Sequence, residues 1–247
     1  LTEELNDIAG ALAALVMALT FLFGGRIHPF QSLVRDRRVL ISFGAGVAAA
    51  YLFVAMMPEL AEAMTELNEA DEASGRSGVL VFVMALLGFV VFYGIDHLTK
   101  IGAAPSEAEE PEAAEGRVLG YGLYVWLMTY VLVVETSGSL RATLWYAIAI
   151  SCHFLTIDHS LSEQRGRLYD RRGRFLLAGC VALGWLAAQV FELSSGVTAL
   201  AVGFVSGALT VNSAIMELSK GASGRFIPFA LGSALYAALL LGVGTLS

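Results

Sequence analysis

Eight apolar stretches are strung along this chain, and the basic residues between them collect on alternate connections. The stretches run over 8–23, 39–57, 79–95, 118–134, 144–157, 175–191, 197–215 and 226–246. A helix needs about 20 mostly apolar residues to cross the hydrocarbon of a bilayer, and the flanks of the shorter stretches extend them toward that length. The period-two alternation of a transmembrane barrel is absent. Helices then remain as the way to satisfy the backbone in lipid. With 57% hydrophobic and 15% charged residues, a soluble core of this size is a poor alternative. The expected fold is all-α: one polytopic membrane domain over residues 1–247, with eight transmembrane helices.

Orientation follows from the positive-inside rule. Arg26, Arg35, Arg37 and Arg38 lie between stretches 1 and 2, and Lys100 and Arg117 flank the connection between 3 and 4. Arg165, Arg167, Arg171, Arg172 and Arg174 lie between 5 and 6, and Lys220 and Arg225 between 7 and 8. Thirteen of the fifteen Lys and Arg therefore fall on one side, leaving Arg76 and Arg141 on the other. An even number of helices places both termini outside, together with the acidic stretch 59–72. The net charge of −7 is no nucleic-acid footprint, and the arginine clusters read as topology signals. Cys152 and Cys180 fall inside apolar stretches and offer no disulfide framework. No leader with a basic start and a small-residue cleavage site is recognisable.

Residues 101–117 form the longest connection. Glu107, Glu109, Glu110, Glu112 and Glu115 repel one another and bury nothing, so an acidic, disordered cytoplasmic loop is expected. Stretches 2 and 7 look related. The first contains Ser42-Phe43-Gly44-Ala45-Gly46 and ends Met56-Met57-Pro58-Glu59-Leu60; the second contains Gly203-Phe204-Val205-Ser206-Gly207 and ends Ile215-Met216-Glu217-Leu218. Each sets Phe three residues before Gly. Since the two run in opposite directions, a true repeat would be inverted, while shared small residues serve equally for close helix packing.

These segments, with Gly94-Ile95-Asp96 closing stretch 3, resemble the ZIP (Zrt/Irt-like) divalent-metal transporters. The resemblance implies a 3+2+3 inverted-repeat arrangement and transport of zinc or a similar divalent ion. It further implies a multi-pass protein of the plasma (bacterial inner) membrane whose metal is cargo, with no resident cofactor. Its partners would be the lipid bilayer and the ion, no nucleic acid, and it leaves room for a homodimer. The family's helix 4 and helix 5 metal motif is missing. The corresponding positions read Leu123-Tyr124-Val125-Trp126-Leu127-Met128 and Ser151-Cys152-His153-Phe154-Leu155-Thr156, so the chain looks like a divergent member.

Titratable groups inside apolar spans are costly and each needs a partner or a purpose. His153 lies past the middle of stretch 5 beside Cys152. Imidazole and thiolate both suit zinc, but neighbours on a helix point about 100° apart. A hydrogen bond to Ser151, Tyr130 or backbone is the plainer role for His153. Asp158-His159 and Asp96-His97 end two helices that run in the same direction, which sets both pairs at one depth, with Glu163 one turn beyond His159. They read as a mixed carboxylate and imidazole site, or as ordinary polar residues at an interface. Ser206, Thr210, Ser213 and Glu217 fall on one helical face, either lining a hydrated path or bonding to their own backbone. Pro58 is expected to loosen the end of stretch 2. Tyr121 and Tyr124 read as interfacial anchors, whereas Thr129 and Tyr130 lie deeper and need hydrogen-bond partners, with His153 the obvious one. His28 reads as solvated.

The leading expectation is a divalent-metal transporter whose ligands include His153, Asp158, His159, Asp96 and His97, with Glu217 and Glu59 at the two mouths. A non-transporting ZIP-like receptor, regulatory or assembly protein fits the missing ligand set, and a small-organic-solute transporter fits the tyrosines of stretch 4. A membrane-embedded hydrolase is disfavoured, because His153 and His159 stand about 120° apart on one helix.

Overall fold

Continuous apolar sequence with few interruptions folds here into helices. The computed structural model describes residues 2–24, 37–70, 77–101, 111–136, 139–168, 172–218 and 225–244, and among them there is no strand. The helices are α1 (Thr2–Gly24), α2 (Arg37–Tyr51), α3 (Met57–Ala70), α4 (Val79–Ile101), α5 (Pro111–Glu135), α6 (Leu140–Leu168), α7 (Arg174–Val190), α8 (Ser195–Leu218) and α9 (Phe226–Gly244). Among the described residues, four segments suffice by length and composition to cross a membrane: Ser42–Glu69, Val118–Glu135, Leu140–His159 and Ser195–Asn212. Shorter apolar helices cover Ile8–Gly24, Val79–Ile95, Arg174–Val190 and Phe226–Gly242.

Pro58 leaves its mark on the longest of these. It has no N–H to return to the fourth residue before it. The turn ahead of it widens into a π-helix over Leu52–Met56, in which the Met57 N–H bonds to the Leu52 carbonyl. Helices α2 and α3 thus continue through a π-turn, a feature that recurs at functional positions. The acidic connection differs from expectation. Residues 102–110 lie outside the described part, but 111–117 form the first turns of α5. Pro111 suits a first helical position and Glu112 and Glu115 favour the positive end of the helix dipole, so the helix starts well before its apolar run.

Small residues set the packing. α2 packs on α9, and α4 on α8, as the two most extensive helix contacts. A Cβ at Gly46 would overlap the Phe229 carbonyl, and one at Gly232 would overlap the Phe43 carbonyl. On the second pair, a Cβ at Gly207 would overlap the Ala85 carbonyl, and one at Gly88 the Phe204 carbonyl. In each pair the backbones touch where both helices carry a glycine three residues after the residue whose carbonyl is contacted. Such close approach is how helices gain packing energy in lipid. The remaining helices form a second group: α1 against α6 and α7, and α5 against α7. The two groups meet where α2 packs on α6.

Large apolar side chains point outward. α4 exposes Val79, Leu80, Val83, Leu86, Leu87 and Val90, and α9 exposes Phe226, Ile227, Leu231, Leu235 and Leu241. A patch of this extent is foreign to a water-exposed surface and suits a lipid one. Several polar groups are buried instead, including Thr129, His153, Thr156, Asp158, Ser206 and Asn212.

Candidate functional site

His153 is carried by α6 into the interior, where it is 1% exposed. Its Nε2 stands 3.0 Å from the hydroxyl of Tyr124 on α5, itself 1% exposed. One turn earlier on α5, Tyr121 shares the Tyr124 face because residues three apart lie over one another on a helix. The Tyr121 hydroxyl makes a long 3.5 Å hydrogen bond to Oδ1 of Asn212 on α8. Asn212 lies beside Tyr124 as well. It is buried, and its Nδ2 has no hydrogen-bond partner among the described residues. Phe92 of α4 covers the cluster, with its ring 4.8 Å from Tyr124, 5.9 Å from Tyr121 and 6.3 Å from Phe204. Three helices supply polar side chains to this region and a fourth covers it with an aromatic ring. Polar groups withdrawn from water this far must satisfy one another or a ligand.

Further along α6, Asp158 is buried and meets Arg174, the first residue of α7. The guanidinium donates from Nε to Oδ1 at 3.0 Å and from Nη2 to Oδ2 at 3.4 Å. Gly24 at the end of α1 makes room for this pair, since a Cβ there would come within 2.7 Å of the Asp158 Oδ2. His159 is buried beside it. At 1.5 Å per residue, Asp158 lies about 27 Å along α6 from its first residue.

The other end of the bundle holds a pocket of about 320 Å³ lined by Glu59, Glu62 and Glu135 together with Ser195 and Thr198. Glu59 lies beside the Tyr146 side chain. Tyr146 meets the buried Tyr51 edge to face, 5.3 Å between ring centres. Behind them Tyr236 donates to the Trp145 carbonyl at 2.7 Å.

The residues expected to form one ligand set are distributed over these places. His153 sits in the central cluster, Asp158 and His159 at the far end of α6, and Glu59 in the acidic pocket. His97 is exposed on α4 and stacks on Tyr93 at 5.8 Å, apart from the buried His159. The side chains of Asp96, Glu163, Ser213 and Glu217 lie outside the described part, as does His28. Among the described residues no three His, Cys, Asp or Glu side chains gather as a metal-binding group.

Three assignments change. Tyr124, read as an interfacial anchor, is buried and is the partner of His153. Tyr130, expected in that role, donates instead to the Phe191 carbonyl at 2.9 Å, and Thr129 bonds to the Val125 carbonyl. Arg174, counted among the loop arginines, is the buried counter-ion of Asp158. On α8, Ser206 and Thr210 return their hydroxyls to the carbonyls of Val202 and Ser206, both at 2.7 Å, which makes that part of the stripe a packing seam. Asn212, one amide in an apolar helix, carries a detectable signal in sequence. Its partners carry none, because only tertiary contact brings Tyr121 and Tyr124 to it.

No protein family matches the chain, and no characterised protein matches it.

Proposed function

We propose that this chain is an eight-pass membrane transporter, N-out and C-out, that carries a divalent metal cation, zinc or a similar ion, through its helix bundle. The observation that carries the reading is the set of buried polar side chains Tyr124, His153 and Asn212, drawn from three helices. Imidazole, phenol and amide exchange for hydration water stepwise, and neutral donors hold an ion weakly enough for it to leave. The pocket at Glu59, Glu62 and Glu135 concentrates cations at one mouth.

The resemblance to ZIP transporters supports this reading, and so does the paired packing. Exchanging α2 with α8 and α9 with α4 carries Phe43 and Gly46 onto Phe204 and Gly207, and Phe229 and Gly232 onto Ala85 and Gly88. A repeat of three helices on each side of a central pair accounts for that correspondence. Uptake of Zn²⁺ into vesicles bearing the purified protein tests the proposal; uptake no faster than in protein-free vesicles removes it.

One observation favours a second reading, a ZIP-like protein that assembles or regulates without transporting: Asp158 is already engaged by Arg174 and so is not open to an ion. Absence of flux alongside an intact, stable fold would select it.

A further inference from the structure

We infer that the groove between α1 and α6 seats an anionic phospholipid, with one acyl chain along the groove and the phosphate at Arg141. The inference needs the chain to lie in a bilayer and stands whether or not ions pass through it. The groove holds about 540 Å³. α1 lines it with Leu12 and Val16, and α6 with Leu144 and Ile148, all exposed. Between them the buried Ala13 and Ala147 leave room that larger side chains would fill. Among the described residues that line the groove, Arg141 alone carries a charge, and it is exposed.

Three features of Arg141 select an anion. With Arg76 it is one of the two basic residues set against the positive-inside pattern. It is the second residue of α6, where the helix dipole repels a cation, and no acidic side chain stands in that first turn. Among the described residues it forms no hydrogen bond or ion pair. A phosphate offsets all three costs, and the guanidinium fork matches its oxygens in pairs. The length fits as well. From Arg141 to Ile148 α6 rises about 10 Å, within the roughly 15 Å of hydrocarbon in one leaflet. Charge at the rim and an apolar trough below it are the layout of a lipid with head and tail. Trp145, half-buried against the same groove, is of a type that settles at headgroup level. A chain in the groove leaves tails as apolar as the protein, so it gains packing alone. Preference among lipids therefore rests on the headgroup.

Trp145 reports on the groove once Trp126 and Trp185 are replaced by phenylalanine. The full chain is placed in phosphatidylcholine vesicles that contain a minor share of phosphatidylglycerol or phosphatidylcholine with brominated chains, whose bromines quench indole emission on contact. Stronger quenching by the phosphatidylglycerol, equivalent to about fivefold tighter association, supports the site, since that is the worth of one basic side chain at an anionic surface. Arg141→Gln should erase the preference, and Arg141→Lys, which keeps the charge, should retain most of it. Arg76→Gln removes the same charge from another connection and should leave the preference unchanged. Equal quenching by the two lipids, a preference that survives in Arg141→Gln or is absent from Arg141→Lys, or an equal loss in Arg76→Gln overturns the inference. So does quenching by neither lipid, the result expected if a second copy of the chain fills the groove.

Discussion

The Arg174 guanidinium grips the Asp158 carboxylate at 3.0 Å inside the bundle, tying the far end of α6 to the first residue of α7. Neither charge has ready access to water, and Gly24 of α1 lies against the same carboxylate. The ion pair therefore joins two helices, and the end of a third packs against it.

Breaking a buried ion pair on one side costs about 3–5 kcal/mol, whereas removing both charges is often close to neutral. Arg174→Met and Asp158→Leu should each lower the unfolding midpoint sharply in detergent, and the double variant should recover most of the loss. A double-mutant cycle by thermal unfolding checks this. Additive losses would mean that the two side chains do not depend on each other.

The glycine contacts predict opposite signs for the same substitution. In an open helix position Gly→Ala gains about 1 kcal/mol of helix propensity, and a methyl group at Gly179 would meet nothing within 4 Å. Gly179→Ala should be neutral to stabilising. Gly46→Ala and Gly207→Ala place a methyl on a neighbouring carbonyl and should destabilise by about 1–3 kcal/mol. Because these two positions correspond across the proposed repeat, their losses should be alike. Thermal unfolding of the three variants decides it.

The acidic pocket should act through charge rather than shape. Glu62→Gln and Glu135→Gln should lower Zn²⁺ influx mainly at low ionic strength, where surface charge steers ions most strongly, with the difference shrinking as salt rises. Influx measured across a salt series checks this. A deficit independent of salt would assign these carboxylates another role.

Topology has its own test. In a chain with Cys152 and Cys180 replaced by serine, Ser74→Cys should react with an impermeant thiol reagent from outside intact cells, and Ser106→Cys only after the membrane is opened. The reverse pattern would invert the orientation read from the arginines.

Much of this architecture could be read from the residues. Apolar run lengths located the helices, and Pro58 announced a disturbance that takes the form of a π-turn at 52–56. The Phe-x-x-Gly spacing at 43–46 and 204–207 marked the places where backbones touch. The site was less legible, because hydropathy says where a helix is buried but not which face meets which neighbour. Tyr124 looked like an anchor at the end of an apolar run, yet the depth to which α5 sinks makes it the partner of His153. Arg174 was indistinguishable by sequence from its loop neighbours, and only its meeting with Asp158, sixteen residues away, sets it apart. Glu112 and Glu115 misled in the other direction: acidic residues that repel in a loop also favour the start of a helix, and α5 begins among them.

The most direct test of the whole account is Zn²⁺ influx, followed with a trapped metal indicator, into vesicles containing the purified chain or its His153→Ala variant. The account predicts saturable influx by the parent and its loss in the variant while both remain folded. Influx equal to that of protein-free vesicles, or full influx without His153, would contradict it.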